Sequence, residues 1–193
     1  MTRDTIFSVG VCVLLCASVG ANVMQARRGR ALAGELRFYQ RSGGLASGAR
    51  LPDLKAQDLS GKQVDLRYDS PTVIYVFSPF CGWCRRNEAN IRQLAKGASA
   101  HYRFVGISLV STGLADFLDQ HGLPFSAYAN PDPDSARSYK LDSTPELIVV
   151  APGGVLVRAW KGAFVGETKS EIESFFSVRL PGIAENGPGT FLG

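Results

Sequence analysis

Hydrophobic positions fall into three regimes along the chain. From Ile6 to Met24 the run IFSVGVCVLLCASVGANVM carries no charge. At about 1.5 Å per residue, a helix of that length crosses most of a roughly 30 Å hydrocarbon layer. Residues 42–50 (SGGLASGAR) are small, Gly-rich and short of bulky apolar groups, which predicts a linker. From Leu51 onward, short apolar runs alternate with segments of helical spacing.

In that third regime, Leu54–Asp58 and Lys62–Leu66 flank Leu59-Ser60-Gly61, which predicts a hairpin. Thr72–Phe77 (TVIYVF) is β-branched and aromatic throughout, as in a strand buried on both faces. Cys84–Lys96 places Ala89, Ile91, Leu94 and Ala95 at helical spacing, and Tyr102–Leu109 predicts a second buried strand. Leu114–His121 predicts a helix closed by Gly122, with Leu114, Phe117 and Leu118 as its stripe. A short strand over Phe125–Ala129 and a short helix over Asp132–Tyr139 follow, with Asp132-Pro133-Asp134 fitting a turn and cap better than a carboxylate pair. Glu146–Ala151 and Val155–Trp160 predict a hairpin around Pro152-Gly153-Gly154. Thr168–Val178 is the last predicted helix, with Thr168 and Glu171 as a capping box and Ile172, Phe175 and Phe176 buried. Residues 181–193 predict a flexible tail. Strands alternating with helices before a final hairpin and helix indicate an α/β domain with a mixed central sheet and helices on both faces.

Charge sharpens the division. The net charge of +4 and pI near 9.0 invite a nucleic-acid reading. Residues 1–41 hold six Arg against Asp4 and Glu35, which is the whole excess, and the remaining 152 residues carry 15 basic and 15 acidic side chains. No basic domain exists, and no nucleic-acid partner is expected. The apolar run instead predicts a membrane anchor spanning about residues 6–24 with a basic helical flank to residue 41, and hence a lipid-bilayer contact. A cleaved secretion signal is the alternative, because Val19-Gly20-Ala21 resembles a signal-peptidase site. Arg27, Arg28, Arg30, Arg37 and Arg41 follow the span, so the positive-inside rule would keep the domain in the cytoplasm. A single N-terminal anchor, by contrast, usually holds an exported domain at the membrane surface. Cys12 and Cys16 read as small hydrophobes on one helical face.

Candidate chemistry concentrates in Cys81-Gly82-Trp83-Cys84, where strand 72–77 hands over to a helix. A thiol at a helix N-terminus meets free N–H groups and the positive dipole end, so Cys81 is the expected nucleophile. Cys84, one turn inside, can resolve a mixed disulfide by intramolecular attack. A zinc site would need two more ligands, and the other cysteines lie in the apolar run while His101 and His121 stand alone. No metal and no cofactor are therefore predicted. A four-residue loop constrains the unfolded chain little, so a structural disulfide is the weaker reading. Ser143-Thr144-Pro145 opens a buried strand about 60 residues downstream, where a cis Thr144–Pro145 bond competes with an ordinary trans one.

Together, the strand, Cys81-Gly82-Trp83-Cys84, the helix, Thr144-Pro145 and the hairpin ELIVVAPGGVLVRAWKG resemble the thioredoxin superfamily. Leu51-Pro52-Asp53-Leu54 with its hairpin, and Leu123-Pro124-Phe125 through Tyr139, resemble its membrane-anchored TlpA/ResA-like group of redoxin type. The resemblance covers residues 51 to about 178. It implies a three-layer thioredoxin-like domain over 51–180 behind the anchor, and a protein-disulfide oxidoreductase at the outer face of a bacterial inner membrane. The implied direction is reduction of exported protein substrates, with a membrane electron donor as a further partner. Cys81 would attack and Cys84 resolve, Pro145 would lie against the sulfurs, and the Thr144 backbone would pair with a substrate strand. Trp83 would offer a docking surface or shield the disulfide. Arg85 and Arg86 read mainly as a solvated face.

The chain also departs from the pattern. Relatives commonly carry Asp or Asn where Tyr75 stands, and a phenol cannot serve as a carboxylate base near neutral pH. Relatives often have Glu and Pro where Asn87 and Ala89 stand, leaving Glu88 or water for proton transfer. Two other functions stay open. A peroxiredoxin-like peroxidase is matched by Ser78 but not by Ile74, and a metal- or protein-binding module on the same fold would favour CxxxC spacing.

Overall fold

The computed structural model describes residues 15–27 and 44–183. Residues 15–27 are helical and belong to a unit of their own, residues 1–40. Residues 6–14 of the expected span and residues 184–193 of the expected tail lie outside the described residues. No helix among the described residues is long and apolar enough to cross a membrane.

The second unit is built on a seven-stranded mixed sheet. Its strands are β1 (Leu54–Gln57), β2 (Gln63–Leu66), β3 (Thr72–Phe77), β4 (Arg103–Ser108), β5 (Ser126–Ala129), β6 (Glu146–Ala151) and β7 (Val155–Lys161), in the order β2-β1-β5-β4-β3-β6-β7. All six β3 residues are buried, because the strand is central and both faces are covered. It runs parallel to β4 and antiparallel to β6, with Tyr75 opposite Gly106 and Leu147. Five helices complete the unit: α1 (Gly82–Arg86), α2 (Glu88–Ala98), α3 (Leu114–His121), α4 (Pro133–Ser138) and α5 (Gly166–Phe176).

Strand alternation sends odd β3 residues to one face and even residues to the other. Val73, Tyr75 and Phe77 join Ile91 and Leu94 of α2, Leu114 and Phe117 of α3, and Ile172 and Phe176 of α5. Ile74 and Val76 join Leu54, Ile107, Ile148, and Tyr139 and Leu141 just past α4. Three helices, α2, α3 and α5, thus cover the face on which Cys84 lies, while the short α4 and the residues just past it cover the other. The mixed sheet and helices on both faces agree with expectation.

Local departures have physical reasons. The predicted 42–50 linker is, from Leu45 on, part of the domain: Leu45 is buried, Gly48 N–H donates to the Leu156 carbonyl at 2.8 Å and Leu156 N–H to the Ala49 carbonyl at 2.8 Å. Edge strand β7 has open backbone groups, and this segment satisfies them. In the β6–β7 turn, Gly154 has φ +81, and a Cβ there would sit 2.5 Å from the Leu51 carbonyl oxygen. The predicted capping box does not form: α5 starts at Gly166 without a side-chain cap, and Glu171 instead accepts from Trp160 Nε1 at 3.0 Å. The single predicted helix after Cys84 is broken at Asn87, and Ala89 is exposed while Asn90 is buried. Asn90 accepts from Gly182 N–H at 2.8 Å and Glu173 from Leu180 N–H at 2.7 Å, so the chain to Gly182 is tied to the domain.

Candidate active site

The end of β3 and the start of α1 set Cys81 at the helix N-cap, with extended backbone angles of φ −77 and ψ 110. Its sulfur accepts from Cys84 N–H at 3.1 Å, so a thiolate there would meet a backbone donor that the first helical turn leaves free. Both cysteines are free thiols. Cys81 is half-buried and Cys84 buried. The hydrogen bond from the Cys84 thiol is the largest influence lowering the Cys81 pKa, to about 6, with help from Thr144 and from the Cys84 and Trp83 backbone and against the opposing effect of burial. Cys84 is pushed far up, first because it gives that hydrogen bond and then by burial. One sulfur is therefore poised as a nucleophile at neutral pH and its neighbour is held as a thiol.

Thr144–Pro145 is a cis peptide, the less frequent of the two isomers considered from sequence. The Cys81 thiol lies 3.6 Å from the Thr144 carbonyl, at the limit of a weak sulfur hydrogen bond. Pro145 O accepts from Gly162 N–H at 2.8 Å, which ties this loop to the far end of the β6–β7 hairpin. Trp83 is 51% exposed beside Cys81, and the Arg86 guanidinium stacks over its ring at 4.6 Å. Arg85 is exposed. The expected residues Cys81, Trp83, Cys84, Thr144 and Pro145 are thus assembled by the β3–α1 junction and the loop before β6.

Glu88 does not join them. The break at Asn87 starts a new helix at Glu88, whose carboxylate engages the Arg92 guanidinium, with Nε at 3.0 Å, and His121 Nδ1 at 2.5 Å. No hydrogen bond links it to either sulfur among the described residues. The proton-transfer expectation for Glu88 therefore lacks its contact. The His121 ring also lies tilted against Phe117, with centroids 4.3 Å apart, so His121 is held between Glu88 and Phe117. Asp132 caps α4 by accepting from Ser135 N–H at 2.6 Å, and Asp134 pairs with Arg137.

Three residues escaped the sequence reading. Phe80, immediately before Cys81, is 66% exposed and packs beside Gly113, extending the apolar rim that Trp83 begins. Asn87 is fully buried under the redox helix. Glu146, next to Pro145, is fully buried on the opposite sheet face, and neither carboxylate oxygen has a hydrogen-bond partner among the described residues. Lys161 Nζ lies 3.8 Å from it, yet burial outweighs that cation and pushes the Glu146 pKa up to about 8. A lone carboxylate heading the apolar run ELIVVA was the available signal for it.

A family model, that of the AhpC/TSA family, matches residues 47–159. A "thioredoxin-like protein" of Haemophilus influenzae is 28% identical over 103 residues, which cover 50% of this chain and 60% of that protein's length. Among solved structures, the chain is similar to a protein described as the thiol:disulfide interchange protein DsbE from Chlorobium tepidum, with TM-score 0.59, 19% identity, and 69% of this chain and 97% of that one covered. The thioredoxin domain of a thiol-disulfide oxidoreductase from Bacteroides vulgatus gives TM-score 0.56 at 19% identity, covering 68% and 99%. A secreted disulfide oxidoreductase of Mycobacterium tuberculosis gives 0.52 at 20% identity, covering 64% and 93%. These likenesses establish a thioredoxin-like α/β fold.

Proposed function

The chain belongs to the AhpC/TSA family, and from that premise we propose that it is a membrane-anchored thiol-disulfide oxidoreductase that reduces disulfides in exported proteins. The observation that carries the reading is the asymmetry of the pair: a half-exposed Cys81 with its pKa lowered to about 6, beside a buried Cys84 that donates to it. Cys81 thiolate attacks a substrate disulfide, forming a mixed disulfide and releasing one substrate thiol. Cys84 then attacks Cys81, closing the enzyme disulfide and freeing the second substrate thiol. The exposed Phe80 and Trp83 offer apolar contact to an unfolded chain, and the Thr144 backbone offers a strand partner. A membrane electron donor restores the dithiol, and no cofactor takes part. A Cys81→Ser protein that still reduced insulin disulfides would sink this reading.

The uncharged run from Ile6 to Met24 supports an inner-membrane anchor, with the redox domain on the periplasmic side. Labelling of Cys81 in reduced whole cells by a membrane-impermeant maleimide tests the orientation, and protection until lysis would place the domain inside. The family match gives peroxide reduction a claim as a second activity. Ser78 stands three residues before Cys81, but its hydroxyl accepts from Phe80 N–H at 3.3 Å. Consumption of hydrogen peroxide by the purified protein, with a Cys81→Ser control, decides between the two.

A further inference from the structure

Strand β3 carries Tyr75 beneath the redox helix. The residue is 2% exposed and lies in the core that contains Cys84. Its ring stacks on Phe77 at 5.6 Å and meets Phe164 edge-on at 6.5 Å, contacts that Phe would make equally well. The hydroxyl is a different matter. It faces the Cys84 side chain and the Asn87 amide without completing a hydrogen bond to either. Asn87 is similarly half-used: its Oδ1 accepts from Asn90 Nδ2 at 2.9 Å and Phe164 N–H at 3.3 Å, while its Nδ2 has no partner among the described residues. Two buried polar atoms thus stand unpaired behind the resolving thiol. Each such atom costs roughly 1–3 kcal/mol, and native structures carry few of them.

We propose that Tyr75 is a positioning residue for the resolving step, its hydroxyl donating a hydrogen bond to the Cys84 sulfur as that sulfur sheds its proton and attacks. Asn87 Nδ2 donates in turn to the Tyr75 oxygen and aims its proton at the sulfur. Hydrogen bonds of this kind are often long at rest and tighten as charge develops. The phenol is raised well above its ordinary value by burial and by the nearby sulfurs, so it stays a neutral donor throughout. In the step itself the Cys84–Cys81 bond forms, the Cys81–substrate bond breaks, and the electron pair leaves on the substrate sulfur. The proton that Cys84 gives up balances the one that the departing sulfur takes on. The enzyme dithiol is oxidised by two electrons and the substrate disulfide is reduced by two.

The inference rests on the oxidoreductase reading, and one experiment separates the two. The reduced full chain, in detergent and with Cys12 and Cys16 replaced by Ala, is mixed with Ellman's reagent in a stopped-flow instrument. Attack by Cys81 releases a first thionitrobenzoate and resolution by Cys84 a second, the latter absent in Cys84→Ala. Failure of the parent to release the first ion rapidly at pH 7 counts against the oxidoreductase reading itself. For Tyr75→Phe, the first phase and the Cys81 titration should match the parent, while the second phase slows by about tenfold, the scale of one hydrogen bond to a charged group. Removing an unpaired hydroxyl should leave the melting temperature equal or higher. A second phase within about twofold of the parent, or one slowed together with the first phase and a lowered melting temperature, overturns the proposal.

Discussion

The rim around Cys81 and the chamber around Cys84 share one helical turn and have opposite character. At the rim, Phe80 and Trp83 are exposed and the Thr144 carbonyl faces the sulfur. In the chamber, Cys84, Tyr75 and Asn87 are buried, and their polar atoms are neutral and incompletely paired. The difference teaches that a helix N-terminus alone does not sort the two thiols, since both lie within its first turn. The direction of the shared hydrogen bond does the sorting, because it lowers the proton affinity of Cys81 and raises that of Cys84, while burial raises both and weighs on the buried Cys84 as well.

Removing either sulfur breaks the comparison most severely. Cys81→Ala should lower insulin reduction by about a thousandfold or more, since no other thiolate is exposed there to attack. Cys84→Ala should keep the attack but leave the protein trapped as a mixed disulfide, visible as a mass adduct. Equal loss without an adduct would mean that the chamber thiol is not the resolving group.

Acidification tests the rim alone. Cys81 reacts as thiolate, so with a pKa of about 6 the rate of iodoacetamide alkylation should be flat above neutrality and fall by about tenfold between pH 7 and pH 5. Cys84, displaced in the other direction, contributes nothing in that window. A midpoint near the ordinary thiol value would show that the hydrogen bond from Cys84 does not lower it.

Glu146 sharpens the contrast between neutral and charged buried groups, because it lies on the far face of the same sheet. Its folded pKa of about 8 exceeds the unfolded carboxylate value, so the native state binds the proton more tightly. The resulting stability is full below the unfolded value and is lost as pH rises toward and through 8. Glu146→Gln should therefore flatten the pH dependence of urea unfolding and gain about 2 kcal/mol at pH 8. Lys161 keeps the Lys140 carbonyl and Asp142 as partners in that variant. An unchanged pH dependence would show that the carboxylate is solvated.

The smallest effect should come from the rim's apolar surface. Trp83→Ala should raise KM for unfolded protein substrates that carry scrambled disulfides by about three- to tenfold, as for the loss of one interfacial aromatic. Turnover of a small disulfide should hardly change. An equal effect on both would make Trp83 a shield for the disulfide and not a docking surface.

Most of the domain was legible in the sequence because its signals are local. TVIYVF is β-branched or aromatic at every position, as suits a strand covered on both faces, and Gly122 and Asp132 mark helix ends by their own backbone and side-chain preferences. Cys81 and Cys84 were legible too, since three-residue spacing on a helix brings two sulfurs together. Where the outcome depended on distant partners, local reading went astray. Residues 45–50 looked like a linker because they belong to a small, Gly-rich stretch short of bulky apolar groups, but an unfilled sheet edge recruits backbone whatever its side chains. Thr168 and Glu171 spelled a cap, but a buried Trp160 indole needed an acceptor more.

The sequence by itself therefore determined the chemistry and its carriers: a dithiol at a strand–helix junction, a Thr-Pro opening a later strand, and a neutral domain behind an Arg-rich segment. Tertiary structure alone decided how unlike the two thiols are, which aromatic groups ring them, and which polar atoms lie unpaired behind them. The physical reason is that spacing along a helix fixes which side chains meet, whereas the proton affinity of each thiol depends on solvent exclusion and on dipoles contributed by Ser78 just past β3 and by Thr144 in the loop before β6, which the chain brings together only by folding.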